Sequence, residues 1–343
     1  MQWHSIGKHA FKFTRSQIHP SGTNPSYHSS LYNFRPENMI ATAARILILF
    51  EILMYSSIGL SLAHRMQFSP WVTVPATVVI GICLTWLLLV MRSFVVSRRF
   101  SSEEDRSHRL GFWKRQKMIF SEWLYEVLLY KLLQPLSKWF DHTNHSSTAE
   151  NIPIVFVHGF LCNGAAWWWM RRALAKHGIK RCYTLNLEPI FGNIDNYAQQ
   201  LKQRVDEVRN ETGVERIVVV AHSMGGLVAR SYLQNLDGKD CLAGLITIGT
   251  PHHGTALAAL PVAENIRQME LNSSWLSALN ATESEPSTVP VISIYSAHDN
   301  IVSPQSSAKL IHAENFFLSG VGHVAMLFSR DVANLIATFI NKP

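Results

Sequence analysis

Ala221-His222-Ser223-Met224-Gly225 puts a serine where two patterns meet. The apolar run Val218 to Ala221 reads as a buried strand, and a helical pattern begins at Gly225. A serine that acts as a nucleophile must stand proud on a tight turn, so the residues two positions either side must be small. Such a turn aims a helix N-terminus at the serine, where free N–H groups favour negative charge. The N–H of Met224 is then a donor for the oxyanion of a tetrahedral intermediate. A serine hydroxyl alone is a weak nucleophile; it needs a base, and the base needs an acid to orient it. Asp299 follows the strand-like run Val289 to Ser296, and His323 follows the run Asn315 to Gly320. Both fall at strand ends, where function gathers in open α/β sheets. His323 is the expected base and Asp299 its orienting acid. Glu314, His298 and His312 are less well placed. A second oxyanion donor is expected from the backbone of Phe160, because Gly159 lets the chain turn tightly after the strand ending at Val157. His158 is expected to order that loop.

These residues need a frame. From Asn151 onward, six strand-like runs alternate with helical stretches. That alternation predicts an α/β domain over 151–343, with a mainly parallel sheet and helices on both faces. Five segments then resemble one family. They are Val157 to Phe160, Ala221 to Gly226, Thr247 to Thr255, Ser296 to Pro304 and Gly320 to Leu327. Together and in this order they resemble the α/β-hydrolase fold, and most of all small bacterial triacylglycerol lipases and esterases. The likeness covers about residues 152–342. It implies a carboxylic-ester hydrolase without a cofactor, acting through Ser223, Asp299 and His323. The N–H groups of Phe160 and Met224 would hold the oxyanion, and a lipid or other acyl ester would be the substrate. Acyl transfer to another acceptor would use the same residues. A non-catalytic hydrolase-like membrane protein is the alternative from another class, and the complete triad argues against it. Trp167, Phe191 and His252 are candidates to border the acyl site. His252 and His253 suggest a metal, but neighbours on a strand point to opposite faces, so none is expected.

The front of the chain has a different character. The protein has 343 residues, is 47% hydrophobic and 16% charged, and carries a net charge of +7. Its basic surplus flanks apolar segments and shows no zinc-finger or basic-zipper spacing, so a nucleic-acid partner is not expected. Residues 1–38 are polar and basic, and disorder is expected there. Ile46 to Ala63, broken only by Glu51, and Trp71 to Met91, with no charge, each suit a membrane span of ~20 residues. They predict a transmembrane hairpin over 40–96. Glu51 would be costly in lipid, so a buried soluble helix is the alternative for the first segment. Basic residues before and after the hairpin predict that both flanks are cytoplasmic. This places the catalytic domain at the cytoplasmic face of a bacterial inner membrane. Residues 97–150 read as a basic, aromatic juxtamembrane helix and a polar linker. In that helix Trp113, Phe120, Trp123, Leu124, Val127 and Leu128 share an apolar face, which either lies on the membrane or packs on the following domain. Four scattered cysteines read as reduced thiols.

Overall fold

A computed structural model describes residues 38–141, 152–258, 263–283 and 286–342. The expected disorder before residue 38 and the linker after 141 lie outside the described residues. Two long helices come first, α1 (Met39–Met66) and α2 (Pro70–Phe100). The short α3 (Glu103–Ser107) follows, then α4 (Phe112–Val127), which widens into a π turn at Leu128–Leu133, and α5 (Ser137–Phe140). The sheet domain continues as β1 (Ile154–Val157), α6 (Trp168–Ala175), β2 (Cys182–Leu185), α7 (Ile194–Thr212), β3 (Ile217–His222) and α8 (Met224–Asn235). It ends with α9 (Gly238–Cys241), β4 (Leu242–Ile248), α10 (Glu264–Gln268), α11 (Ser274–Ala281), β5 (Val291–Ser296), β6 (Glu314–Leu318) and α12 (Arg330–Ile340).

The six strands are all parallel, in the order β2-β1-β3-β4-β5-β6. Apolar residues dominate β3 and β4, which are buried throughout, because both faces of a central parallel strand are covered. Side chains alternate across the sheet. Val218 and Val220 join the core under α6 and α12, while Val219 and Ala221 join the core under α7 and α8. The chain runs outward from β1 to β2 and then returns past β1 to β3. That reversal leaves a crevice at the C-terminal ends of β1 and β3, the place where open sheets bind ligands.

The hairpin packs tightly upon itself. A methyl group added at Gly81 would lie 2.4 Å from the Tyr55 ring, and one at Gly59 would lie 3.0 Å from the Val74 backbone. Small residues at such points let helix backbones approach closely. At 28 and 31 residues, α1 and α2 are about 42 and 46 Å long. Both are long and apolar enough to cross a membrane. Each helix is longer than the ~30 Å that a hydrocarbon layer requires, and the foot of the hairpin meets the sheet domain. There Arg45 donates to the Pro135 carbonyl (2.9 Å), and Ser93 and Ser97 contact the sheet domain. Glu51 has a partner as well. Lys131 of the π turn meets its carboxylate at 2.5 Å, and the Trp86 indole N–H donates to it at 3.2 Å.

Glu122, Glu126 and Met118 of α4 turn inward, while Trp113 (82% exposed), Phe120 and Leu124 face outward, away from the sheet domain. The Glu122 carboxylate enters the domain to receive two backbone N–H groups.

The Glu51–Lys131 pair gives the first testable outcome. Lys131→Met leaves a carboxylate enclosed without a cation and is expected to cost about 3 kcal/mol. Glu51→Leu combined with Lys131→Met is expected to restore most of that loss. Thermal unfolding of the purified chain in detergent micelles measures both.

Candidate active site

Ser223 sits between β3 and α8 with φ 55° and ψ −128°. A non-glycine residue rarely adopts this backbone, which costs of order 1–3 kcal/mol and persists only where the surroundings enforce it. The enforcement is visible. The Ser223 N–H donates to the Ile248 carbonyl at 2.9 Å, tying the turn to the end of β4. A Cβ at Gly225 would lie 2.5 Å from the His158 carbonyl oxygen, and one at Gly226 would overlap Thr250. Only glycine lets α8 start so close to β1 and β4. On the other side, a Cβ at Gly159 would lie 2.8 Å from the Ser223 Cβ. The loop that carries Phe160 therefore runs directly past the serine. Met224 is the first residue of α8, so its N–H lacks an intrahelical partner.

His158 orders this loop. Its Nε2 accepts from the Leu187 N–H (3.1 Å), so Nδ1 carries the proton and donates to the Gly159 carbonyl (2.9 Å). Burial lowers its pKa to about 4, which keeps the ring neutral and the arrangement stable at neutral pH.

Asp299 and His323 meet beyond β5 and β6. The His323 Nδ1–H donates to Asp299 Oδ2 at 2.7 Å. Asp299 Oδ1 accepts from the Ile301 and Val302 N–H groups at 2.7 and 2.8 Å. Both carboxylate oxygens are occupied, so the imidazole has one orientation and Nε2 is its acceptor nitrogen. Gly249 leaves room for the pair: a Cβ there would lie 3.2 Å from Asp299 and 3.3 Å from His323. The His222 ring, one residue before Ser223, packs on the His323 ring at 4.6 Å between centroids. His222 Nε2 is also 3.2 Å from the His323 carbonyl oxygen. Burial, with His323 beside it, drives the His222 pKa well down, so a second cation does not form there. This arrangement can deprotonate a serine hydroxyl and hold the resulting imidazolium.

Of the other candidates, Phe191 is exposed and its ring faces that of Phe160 at 6.1 Å, at the mouth of the crevice. Trp167 is a correction. It is fully buried, its ring tilted against that of Phe156 at 4.7 Å, because it ends a short 3-10 turn that faces the core. His252 is a second correction. It is buried in a loop after β4, where Thr247 and Ser293 hydroxyls and the Arg230 guanidinium surround its ring, so it braces that loop. The Thr-Pro-His-His-Gly segment is a turn and not a strand; His252 points inward while His253 pairs with Asn280. Glu314 is exposed at the opposite end of the sheet, and the His298 Nδ1 accepts from the Gly320 N–H.

Residues outside the sheet domain support the site, and the motif reading missed them. Glu122 of α4 accepts the Val324 and Ala325 N–H groups, each at 2.8 Å. These N–H groups open the turn immediately after His323. Tyr125 stacks on Phe328 at 4.6 Å and 2°, fixing the same turn. Asn300 accepts from the His323 N–H (2.9 Å) and donates to Ser93 of α2 (2.9 Å). The Ser97 hydroxyl donates to the Asp299 carbonyl at 2.9 Å. The hairpin foot thus holds the acid loop, and α4 holds the base loop. A signal was present in the sequence: Glu122 and Glu126, one turn apart, are the only acids of α4, whose other charges are all basic.

Burial pushes the carboxyl of Glu122 up to about 7 and that of Glu126 to about 8. A raised carboxyl pKa means the folded state binds the proton more tightly than the unfolded chain does. Stability is then highest at acid pH and falls as pH climbs from ~4.3 through the folded-state values. Glu126→Gln is expected to flatten this decline between pH 5 and 8, relative to the native chain, in thermal melts recorded across that range.

A model of the "alpha/beta hydrolase fold" family matches residues 152–269. Triacylglycerol lipases of Pseudarthrobacter phenanthrenivorans and Burkholderia plantarii are each 30% identical over 118 residues, 32% of this chain. The aligned stretch spans 36% and 32% of those relatives, about a third of their length. Among solved structures, Aspergillus fumigatus lipase B superposes with a TM-score of 0.52 at 18% identity, covering 59% of this chain and 56% of that one. The propeptide form of a Bacillus licheniformis lipase gives 0.50 at 19% identity, covering 58% and 52%.

Proposed function

Because the chain carries the α/β-hydrolase fold of lipases and esterases, we propose that it is a membrane-anchored serine carboxylic-ester hydrolase acting on lipid or other apolar acyl esters. The observation that carries this reading is the Asp299–His323 pair at 2.7 Å beside a serine held at positive φ.

Ser223 Oγ attacks the ester carbonyl carbon while His323 Nε2 takes its proton. Asp299 stabilises the imidazolium that results. The carbonyl π electrons move to oxygen, and the N–H groups of Phe160 and Met224 bind that oxyanion. Collapse of the tetrahedral intermediate breaks the bond to the alcohol, which leaves with the proton from His323. Water, deprotonated by His323, attacks the acyl-enzyme; the acid departs and Ser223 regains its proton. The exposed Phe191 ring borders the crevice where the acyl chain enters.

The anchor is the α1–α2 hairpin, and its apolar surface supports this part of the reading. Basic residues cluster at its foot, which favours a cytoplasmic position for the foot and the sheet domain. The foot docks on the loop of Asp299, at the C-terminal edge of the sheet. In a membrane, the edge that carries the site would therefore lie next to the bilayer, where apolar esters reside.

Ser223→Ala is expected to lower turnover of a short p-nitrophenyl ester at least about 10³-fold and to abolish fluorophosphonate labelling. Undiminished turnover by the variant removes the assignment. Glu122→Gln swaps one acceptor oxygen for a donor facing a buried N–H. It is expected to lower kcat roughly tenfold or more with KM little changed, since it disturbs the base and not the crevice. Recovery of the full chain in the membrane pellet after alkaline extraction tests the anchor.

A further inference from the structure

A cavity of about 350 Å³ lies at the foot of the hairpin; Asp299 is part of its lining, but Ser223 and His323 are not. Its floor is apolar, formed by Phe94 of α2 and Met118 of α4. Arg98, Arg106, Arg109 and Arg115 converge on it from α2, α3, the following loop and α4. A second hollow beside it is lined by Val95, Arg99 and three of these same arginines. Among the described residues none of the four has a carboxylate within salt-bridge distance. The acids nearby are engaged elsewhere. Asp105 accepts from the N–H and hydroxyl of Ser102, and Glu104 pairs with Lys309 at 2.6 Å. Arg106 also donates to the Arg99 carbonyl at 3.2 Å, which keeps it at the rim.

Four guanidinium groups gathered without a salt-bridged carboxylate among the described residues repel one another, and an anion between them would relieve that repulsion. Guanidinium forks match phosphate oxygens in geometry as well as charge. The apolar side says what the phosphate is attached to. The floor continues into the exposed face of α2 at Val95, Met91, Leu88 and Leu84. Phe112 and Trp113 (82% exposed) stand beside Arg115, as interfacial aromatics do at headgroup depth. A volume of 350 Å³ holds a headgroup and its first methylenes, and acyl chains would run up α2.

Resting on the membrane reading above, we propose that this cavity binds the phosphate of an anionic phospholipid, distinct from the ester that meets Ser223. Each basic residue near a lipid surface is worth about 1 kcal/mol, roughly fivefold in affinity, so four arginines provide strong headgroup selection.

The test uses the full chain in non-ionic detergent micelles, with native mass spectrometry. Phosphatidylglycerol and phosphatidylcholine of equal chain length compete for the protein. The native chain is expected to retain phosphatidylglycerol at least about tenfold over phosphatidylcholine, and the ratio should approach one in R98Q/R106Q/R109Q/R115Q. Millimolar inorganic phosphate should leave the adduct in place. Equal retention of both lipids, an unchanged ratio in the variant, or displacement by inorganic phosphate overturns the proposal; the last assigns the cavity to a soluble anion. A melting transition confirms that the variant folds. If it does not, Arg109→Gln and Arg115→Gln singly are each expected to lower the ratio about fivefold, and no loss in either overturns the proposal. Headgroup selection in micelles does not require a spanning hairpin. A chain that leaves membranes on alkaline extraction yet keeps its selectivity refutes the anchor and supports the cavity.

Discussion

The site depends on one backbone conformation, φ 55° and ψ −128° at Ser223. A side chain at the end of a strand would normally point into one of the two cores. This twist instead lifts it out of the sheet edge while α8 begins at the next residue. The conformation is unfavourable alone, so neighbours must over-determine it. The bond from Ser223 to Ile248 fixes the turn against β4, and Gly225 and Gly226 allow α8 to press against β1 and β4. The order of the sheet then supplies the rest. With β3 between β1 and β4, the Phe160 loop borders the serine on one side and Gly249 opens room for Asp299 and His323 on the other.

A second layer of support comes from outside the sheet domain. The loops of Asp299 and His323 present backbone N–H and carbonyl groups that the sheet cannot satisfy. Leaving such groups buried and unpaired costs about 1–3 kcal/mol each. Ser97 and Glu122 satisfy them, Ser93 accepts from the Asn300 side chain, and all three belong to the hairpin or to α4. The apolar hairpin and the hydrolase fold are therefore physically joined at the acid and the base. An element that reads as an anchor also braces the chemistry. The raised carboxyl of Glu122 follows from this arrangement, since an acid placed to receive N–H groups beside His323 must leave water; burial and the Glu122 charge beside it raise that of Glu126.

Much of the fold was legible from local pattern. Six apolar runs became six parallel strands; β1, β3 and β5, covered on both faces, are rich in valine and isoleucine, while the edge strands β2 and β6 carry neither. That Ser223, Asp299 and His323 stand just beyond β3, β5 and β6 was legible, because each follows an apolar strand-like run. Trp167 and His252 were not, because both lie on irregular segments where no period indicates direction. Trp167 turns into the core on a 3-10 turn, and His252 turns toward Arg230. The pattern of α4 left open whether its aromatic face packs on the domain, and it did not show that Glu122 is buried, since the partners of Glu122 are backbone groups of residues about two hundred positions away.

By itself the sequence determined the element order, the strand-turn-helix at Ser223, the order of its partners and the two long apolar helices. All of these are set by neighbours within one or two turns of chain. The tertiary structure decided which side of α4 is inside, which carboxylates become buried, how Glu51 finds Lys131 and where four arginines converge. Those outcomes depend on unsatisfied backbone groups and uncompensated charges contributed by segments far apart in the chain, and only folding brings such groups within bonding distance.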